Sequence, residues 1–123
     1  MTWNEANTWI DSLNTSVYLG YNDWRLPDTL PVNGIDYNYT SSSDGTTDVG
    51  YNIRSPNSEM AYMYYVELGN DAYGPLSNTS PFSNLQEAGY WSATQIVVAN
   101  PNPPGTEYAF HFHFDVGLQG GTE

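Results

Sequence analysis

The residue types best suited to chemistry lie on one short alternating segment. His111 and His113 are the only histidines of the chain, and Asp115 follows two positions later. Side chains two positions apart on a β-strand point to the same face, so a strand here would place both imidazoles and the carboxylate side by side. Two histidines and a carboxylate can bind zinc or another divalent ion, with a further ligand from another segment. The alternative is the polar face of a half-buried strand.

A second set of candidate ligands lies in an acidic stretch that contains glycine. Asp44 and Asp48 flank Gly45, and Asp36 lies upstream. Carboxylate and carbonyl oxygens that are close together in a loop are the ligands that calcium prefers, although the spacing is not that of an EF-hand. The alternative is a solvated polar turn. We therefore expect no required cofactor, and calcium at Asp36, Asp44 and Asp48 is the metal alternative.

The sequence contains none of the common catalytic motifs. It has no Gly-x-Ser-x-Gly elbow, no glycine-rich phosphate loop and no His-Glu-x-x-His. It also has no cysteine, which excludes disulfides, thiolate catalysis and cysteine-ligated metals. We expect the chain not to be an enzyme, and a metal-dependent enzyme using His111 and His113 is the minority alternative.

The charge balance excludes several classes of ligand. Two arginines, no lysine and 14 acidic residues give a formal net charge of −12. Neutralising phosphates requires a basic patch, so we expect no binding to nucleic acid or to an anionic membrane surface. No apolar run approaches the length of a bilayer span, so direct membrane insertion is not expected. An Asn-, Thr-, Ser- and Tyr-rich composition favours an extracellular or cell-surface location, although the chain as written carries no signal peptide.

Tyrosines are the third group of candidate functional residues. Eight lie between residues 18 and 65, which exceeds what a small core is expected to absorb: Tyr18, Tyr21, Tyr37, Tyr39, Tyr51, Tyr62, Tyr64 and Tyr65. Tyrosines beside Asn and Asp are common on surfaces that bind sugars or proteins. We therefore predict a contact surface in the loop over residues 30–56, with Tyr37, Tyr39 and Tyr51 as its ligand-binding residues.

Two helices are predicted from capping signals and helical spacing. Thr2 and Glu5 fit a capping box, and apolar residues at three- and four-residue steps predict a helix over residues 3–13. Pro56 and Glu59 favour a second helix over about residues 57–68, because proline suits the first helical turn and a carboxylate stabilises the positive end of the helix dipole. Gly69 would end that helix in a left-handed conformation.

Strands are predicted at residues 90–94 and 107–115, as an antiparallel pair joined by a long turn. In the second, strict alternation places Tyr108, Phe110, Phe112 and Phe114 on one face and Ala109, His111, His113 and Asp115 on the other. Turn-forming residues interrupt residues 18–58 so often that we predict a long, ordered loop there. Two helices followed by strands indicate an α+β domain with a small antiparallel sheet.

One of the two arginines lies in the segment NDWRLPD, residues 22–28. Because Trp24 and Leu26 flank Arg25, we expect the guanidinium to be partly buried and to pair with a carboxylate or with backbone carbonyls. Removing one partner of such a pair would unfold the domain. We predict structural roles for Trp24, Arg25 and Trp91.

Six segments of the chain occur in an order that is shared with one protein family. They are MTWNEA at residues 1–6, YNDWRLPD at 21–28, SEMA at 58–61, PFSNL at 81–85, GYWSAT at 89–94 and YAFHF at 108–112. Together they resemble the Lcl C-terminal domain family of bacterial secreted and surface proteins, and the resemblance extends over nearly the whole chain. It implies a C-type-lectin-like α+β fold and a role in adhesion or ligand display.

The chain differs from that family at both ends. Members usually carry a strand before the first helix and finish on another strand, so we expect residues 1–123 to form a single domain that lacks its first and last strands. Open sheet edges would then favour a homo-oligomer. We expect a non-enzymatic binding, adhesion or assembly module whose partner is a protein or polysaccharide at the cell surface. The alternative is a calcium-stabilised carbohydrate-binding domain.

Overall fold

The computed structural model describes residues 1–122, which form two helices and one five-stranded mixed sheet. In chain order the elements are α1 Trp3–Thr15, a 3-10 turn Tyr18–Gly20, β1 Ser41–Ser42, β2 Val49–Gly50, α2 Glu59–Tyr62, a π-helical turn Met63–Glu67, β3 Gly89–Ile96, β4 Tyr108–His113 and β5 Leu118–Thr122. The predicted α+β class is confirmed.

Both predicted helices are present, although the second begins at Glu59, so Pro56 lies before it and not in its first turn. The Glu5 N–H donates to the Thr2 hydroxyl at 3.2 Å, and the Thr2 N–H donates to the Glu5 carboxylate, so the capping box is formed. The second helix differs from the prediction because only its first turn is α-helical, and it continues as a π-helical turn to Glu67. Gly69 follows with φ +72°, the left-handed conformation that was predicted there.

The sheet has the order β1-β2-β5-β4-β3. Strands β3, β4 and β5 pair antiparallel, as does β2 with β5, whereas β1 pairs with β2 in parallel. The prediction of a purely antiparallel sheet is therefore wrong. The short strands β1 and β2 lie inside the predicted long loop, which otherwise has little regular structure.

Strand β5 occupies the centre of the sheet, although its sequence LQGGT was not predicted as a strand. Gly120 pairs with His111 of β4, and a Cβ atom on Gly120 would lie 3.0 Å from the His111 Nε2 atom. Glycine weakens a strand in isolation, but here it leaves room for the neighbouring imidazole. Tertiary packing thus overrides local propensity in β5.

The segments RLPD and YWSAT, which carry much of the family resemblance, contact each other. Strand β3 bulges between Trp91 and Gln95, so the intervening residues do not follow the ladder to β4. They bind the first loop instead: the Ala93 N–H and the Ser92 hydroxyl both donate to the Pro27 carbonyl, at 2.7 and 2.9 Å. The Thr29 N–H donates to the Thr94 hydroxyl at 2.9 Å. One hydrogen-bond network therefore joins the two segments.

The core lies between the aromatic face of β4 and the second helix. Its fully or nearly fully buried members are Ile53, Met60, Ala61, Tyr64, Tyr65, Phe112 and Phe114. Phe110 is also buried, so the three phenylalanines that were predicted to share one face of the strand all lie in the interior. Tyr64 and Tyr65, which were expected to exceed the capacity of the core, belong to it. Their hydroxyls donate to the carbonyls of Asp71 and Gly117, and this is how tyrosine can be buried without an unpaired polar atom.

Candidate functional site

The two histidines lie on the outer face of the sheet, as their spacing predicts. Their rings are edge-to-face with centroids 4.8 Å apart, and Trp91 of β3 packs against His111. Glycines on both neighbouring strands, Gly89 and Gly120, adjoin the imidazoles. The result is a shallow pocket of about 240 Å³ that Met1 and Thr122 also line.

Three features limit what this pocket can do. The His113 Nδ1 and Asp115 Oδ1 atoms are 3.7 Å apart, beyond hydrogen-bond distance. Among residues 1–122, the His111 Nδ1 and Asp115 Oδ1 atoms are buried without a hydrogen-bond partner. In the same part of the chain, no three His, Asp or Glu side chains form a group that could hold a metal ion. The metal and enzyme alternatives at these histidines stay predictions.

Burial, with a smaller contribution from the charge of His113, lowers the pKa of His111 below that of an ordinary histidine. Because the folded pKa is below the unfolded one, the free energy of unfolding should decrease as the pH falls through the histidine range. We expect NMR titration of the imidazole protons to place His111 below a histidine in an unstructured peptide. His113→Gln should raise the pKa of His111, and an ordinary or elevated value in the unsubstituted chain would contradict the buried geometry.

The three candidate calcium ligands have separate surroundings. Asp48 is only 1 % exposed, and its carboxylate accepts the Val32 N–H at 2.8 Å and the Asn38 N–H at 2.7 Å. Asp44 is exposed and accepts hydrogen bonds from the backbone and hydroxyl of Thr46. Asp36 is exposed. In the part of the chain that the structure describes, these carboxylates are not gathered into one metal-binding group, and Asp48 organises the long loop.

The predicted ligand-binding tyrosines fall into two places. Tyr37 and Tyr39 stack with centroids 5.7 Å apart, and both pack on Phe110. The Tyr37 hydroxyl donates to the Thr29 carbonyl at 2.6 Å, which gives this residue a part in holding the loop. Tyr51 packs instead against Tyr73, with centroids 4.5 Å apart. The three tyrosines therefore do not share one aromatic cluster.

Arg25 forms the predicted carboxylate pair, but it is not partly buried. Its guanidinium binds both oxygens of Glu59 at 2.9 Å, and its side chain is 59 % exposed. The neighbouring Trp24 and Leu26 indicated burial, yet the arginine side chain points toward the start of α2 at the surface. Glu59 also accepts the Asp28 N–H at 3.0 Å, so it joins the first loop to the second helix.

This exposure changes the expected effect of Arg25→Ala from unfolding to a loss of about 1 kcal/mol or less in the free energy of unfolding. The Arg25 guanidinium holds the pKa of Glu59 below its ordinary value, so the pair stabilises the fold above the ordinary glutamate pKa and loses its effect as the pH falls through the lowered value. Urea denaturation should show the difference between the two proteins shrinking in acid. Arg25→Lys should lie between them, whereas a wholly unfolded Arg25→Ala variant would refute the surface assignment.

An exposed apolar groove lies between α1 and the segment 18–26. It has a volume of about 560 Å³ and is lined by Trp9, Ile10, Leu13, Tyr18, Trp24 and Leu26, with Arg25 beside them. The amide of Asn14 holds the segment by binding both the N–H and the carbonyl of Trp24, at 2.7 and 2.9 Å. The Trp24 indole donates to the Tyr18 carbonyl at 2.9 Å, so the groove wall is fixed by specific contacts.

A second apolar groove, of about 410 Å³, lies between the two helices and the start of β3. Its lining includes Met1, Met60, Met63, Phe82, Leu85 and Tyr90. Trp9 and Leu26 line both grooves, so the two adjoin at these side chains. We call the two grooves together the Trp9 surface, after a tryptophan that is 51 % exposed.

Backbone strain occurs beside the Trp9 surface. Val17 and Leu19 have φ values of +50° and +54°, which are uncommon for residues other than glycine and particularly so for β-branched valine. Both side chains are exposed, Leu19 by 70 %. Residues in strained backbone conformations are more frequent at functional sites than elsewhere.

Sequence reasoning did not find the Trp9 surface. The apolar stripe recognised on α1 passes through Trp3, Ala6, Ile10 and Leu13, and Trp9 lies outside it. The adjacent pair Trp9-Ile10 was the available signal, since it widens the apolar arc beyond what one packing face requires. The positions of Phe82 and Leu85 against α1 depend on a long loop and could not be read from spacing.

Among residues 1–122, no helix is both long enough and apolar enough to cross a membrane. In comparisons with family models, curated proteins and solved structures, none matches this chain.

Proposed function

We propose that the chain is a non-enzymatic extracellular binding, adhesion or assembly module of a bacterial surface or secreted protein, and that the Trp9 surface is its contact site. The observation that carries the proposal is the pair of apolar grooves that adjoin at Trp9 and Leu26. Concave sites lined mainly by apolar and aromatic side chains are where proteins most often bind their ligands. Tryptophan and tyrosine are also the residues that most often dominate binding energy.

The rigidity of the surface supports the same proposal. Hydrogen bonds of the Asn14 side chain and the Trp24 indole hold the wall of the first groove in place without a bound partner. A surface that is ordered in advance loses less conformational entropy on binding. Val17 and Leu19, which flank the lining residue Tyr18 in the sequence, are also exposed and apolar.

We further propose that the fold is C-type-lectin-like and that the chain is related to the Lcl C-terminal domain family. The α+β architecture and the contact between Pro27–Thr29 and Ser92–Thr94 support this relation, because two of the six segments that carry the resemblance are hydrogen-bonded to each other. An adhesion or display role follows from that relation by analogy.

The test is binding of the fluorescently labelled chain to intact cells of the bacterium that encodes it. We expect saturable binding by flow cytometry, reduced about fivefold or more by Trp9→Ser. Val97→Ser is the matched control, because Val97 is exposed and lines a separate groove with Tyr39 and Tyr108. Absence of saturable binding, or binding that is equally insensitive to both substitutions, would refute the proposed function.

Carbohydrate binding is the second candidate, and the Tyr51–Tyr73 pair favours it. Tyr73 is well exposed and adjoins Tyr51 closely, which offers an aromatic platform of the kind that can hold an uncharged sugar ring. If calcium stabilises this form, the melting temperature should fall on adding a chelator and recover with calcium. A Tyr73→Ala variant that retains all binding to a panel of immobilised neutral polysaccharides would remove this candidate.

A further inference from the structure

Three exposed acidic residues, which we call the acidic rim, lie close in the sequence to residues that line the Trp9 surface. Glu5 lies one helical turn before Trp9 on α1, Asp23 precedes Trp24, and Glu87 lies between two residues that line the second groove. All three are exposed. A partner on this surface therefore meets an apolar floor bordered by negative charge.

The two cations of the chain are already engaged. Arg25 is neutralised by both oxygens of Glu59. Arg54 lies over the Tyr65 ring, 5.3 Å from its centroid, and donates to the Tyr65 carbonyl at 3.5 Å. With a formal net charge of −12, the domain attracts positive partners and repels negative ones.

Given the binding function proposed above, on which this depends, we infer that the partner of the Trp9 surface is a cationic amphipathic segment of another protein. Its apolar side chains fill the two grooves, and its Lys or Arg side chains face the carboxylates of Glu5, Asp23 and Glu87. Apolar anchors in a preformed groove provide affinity, and complementary charge at the rim provides selectivity and a fast association rate.

Charge also argues against the other occupants of an apolar surface. A second copy of this chain would bring two domains of net charge −12 and two carboxylate rims together. An anionic lipid surface would be repelled for the same reason. The acidic rim favours a cationic protein segment over both.

The inference is tested with three synthetic 18-residue peptides, each labelled with one fluorophore, and the full 123-residue chain. The first peptide has leucine on one helical face and lysine on the other, the second replaces every lysine with glutamate, and the third is a scrambled form of the first. We expect fluorescence anisotropy at about 0.15 M salt to show binding of the first peptide at least about tenfold tighter than of the others.

Variants localise the binding. Trp9→Ser should weaken binding of the leucine–lysine peptide about tenfold or more, and Phe82→Ser on the second groove provides an independent substitution. Val97→Ser should leave it unchanged. The double variant Asp23→Asn with Glu87→Gln should weaken binding and reduce its dependence on salt. Circular dichroism and urea denaturation confirm that each variant is folded.

Several results would overturn the inference. They are equal binding of the lysine and glutamate peptides, peptide binding that neither Trp9→Ser nor Phe82→Ser affects, and sedimentation showing a dimer that Trp9→Ser dissociates. The same variants in the cell-binding assay separate the two proposals. Cell binding that requires Trp9, without binding of the leucine–lysine peptide, would reject only the cationic partner, whereas cell binding that does not require Trp9 would reject the contact site itself.

Discussion

Replacing Asp48 with alanine is expected to lower the free energy of unfolding by about 3 kcal/mol or more, because it removes a buried carboxylate that accepts two backbone hydrogen bonds. The donors are the N–H groups of Val32 and Asn38, which lie six residues apart in the long loop. Hydrogen bonds to a carboxylate are stronger than those between neutral groups, and Asp48 itself is almost fully buried. The expected loss is a large fraction of the stability of an ordinary domain.

Asp48→Asn is the informative intermediate. Its amide oxygen can accept one of the two N–H groups, but its NH₂ group faces the other donor, so it should recover part of the loss and not all of it. Asp44→Asn is the matched control, because Asp44 is exposed and its partners belong to a local turn. Urea denaturation followed by tryptophan fluorescence measures all three. An Asp48→Ala variant as stable as Asp44→Asn would show that the loop does not depend on this carboxylate.

Gly117→Ala is expected to destabilise the fold by about 2–5 kcal/mol, since backbone strain and overpacking add at one position. Gly117 has φ +79°, and a Cβ atom there would overlap the Tyr65 hydroxyl and lie 2.7 Å from the Tyr64 Cε1 atom. Both tyrosines are buried in the core, so neither ring can move aside without disturbing its neighbours. The Gly117 carbonyl also accepts the Tyr65 hydroxyl at 2.6 Å, and that bond would be displaced.

Gly34→Ala is the control that separates the cost of backbone strain from the cost of steric overlap. Gly34 has nearly the same φ, +75°, but a Cβ atom there meets nothing within 4 Å among the described residues. It should therefore lose only the strain contribution of about 1 kcal/mol. Thermal unfolding and near-ultraviolet circular dichroism compare the two, since only Gly117→Ala should alter the environment of the buried tyrosines. Equal losses in both variants would mean that the core accommodates the added methyl group.

The elements that could be predicted are those whose signal is local. Two signals predict their element from a few neighbouring residues. They are the capping box at Thr2 and Glu5 and the alternation through Phe110, Phe112 and His113. Strands β1 and β2 have two residues each, too short for any periodicity. Strand β5 has two glycines and one apolar side chain. It forms because the adjacent side chains of β3 and β4 leave room only for small residues at these positions. Such a strand exists through tertiary contacts that its own sequence does not contain.

The sites show the same division. The shared face of His111 and His113 follows from a period of two and was predicted, whereas the orientation of Arg25 depends on Glu59, which is 34 residues away. The apolar neighbours Trp24 and Leu26 predict that the segment around Arg25 packs on the domain, but they do not determine the direction of the arginine side chain. Trp9 was missed because a helix stripe indicates which residues pack inward and does not say which additional apolar residues remain exposed. The Trp9 surface forms only when α1, the segment 18–26, the second helix and the start of β3 are placed together.

The central position of β5 has a consequence for the order of events during synthesis. It is the last of the five strands to leave the ribosome, yet it alone joins the β1–β2 pair to the β3–β4 pair. Until residues 118–122 are available, the two halves of the sheet have no strand between them, and one edge of β4 lacks its hydrogen-bonding partner. Folding of the sheet is therefore expected to be completed only after translation has passed β5, with long sequence separations that slow the final step.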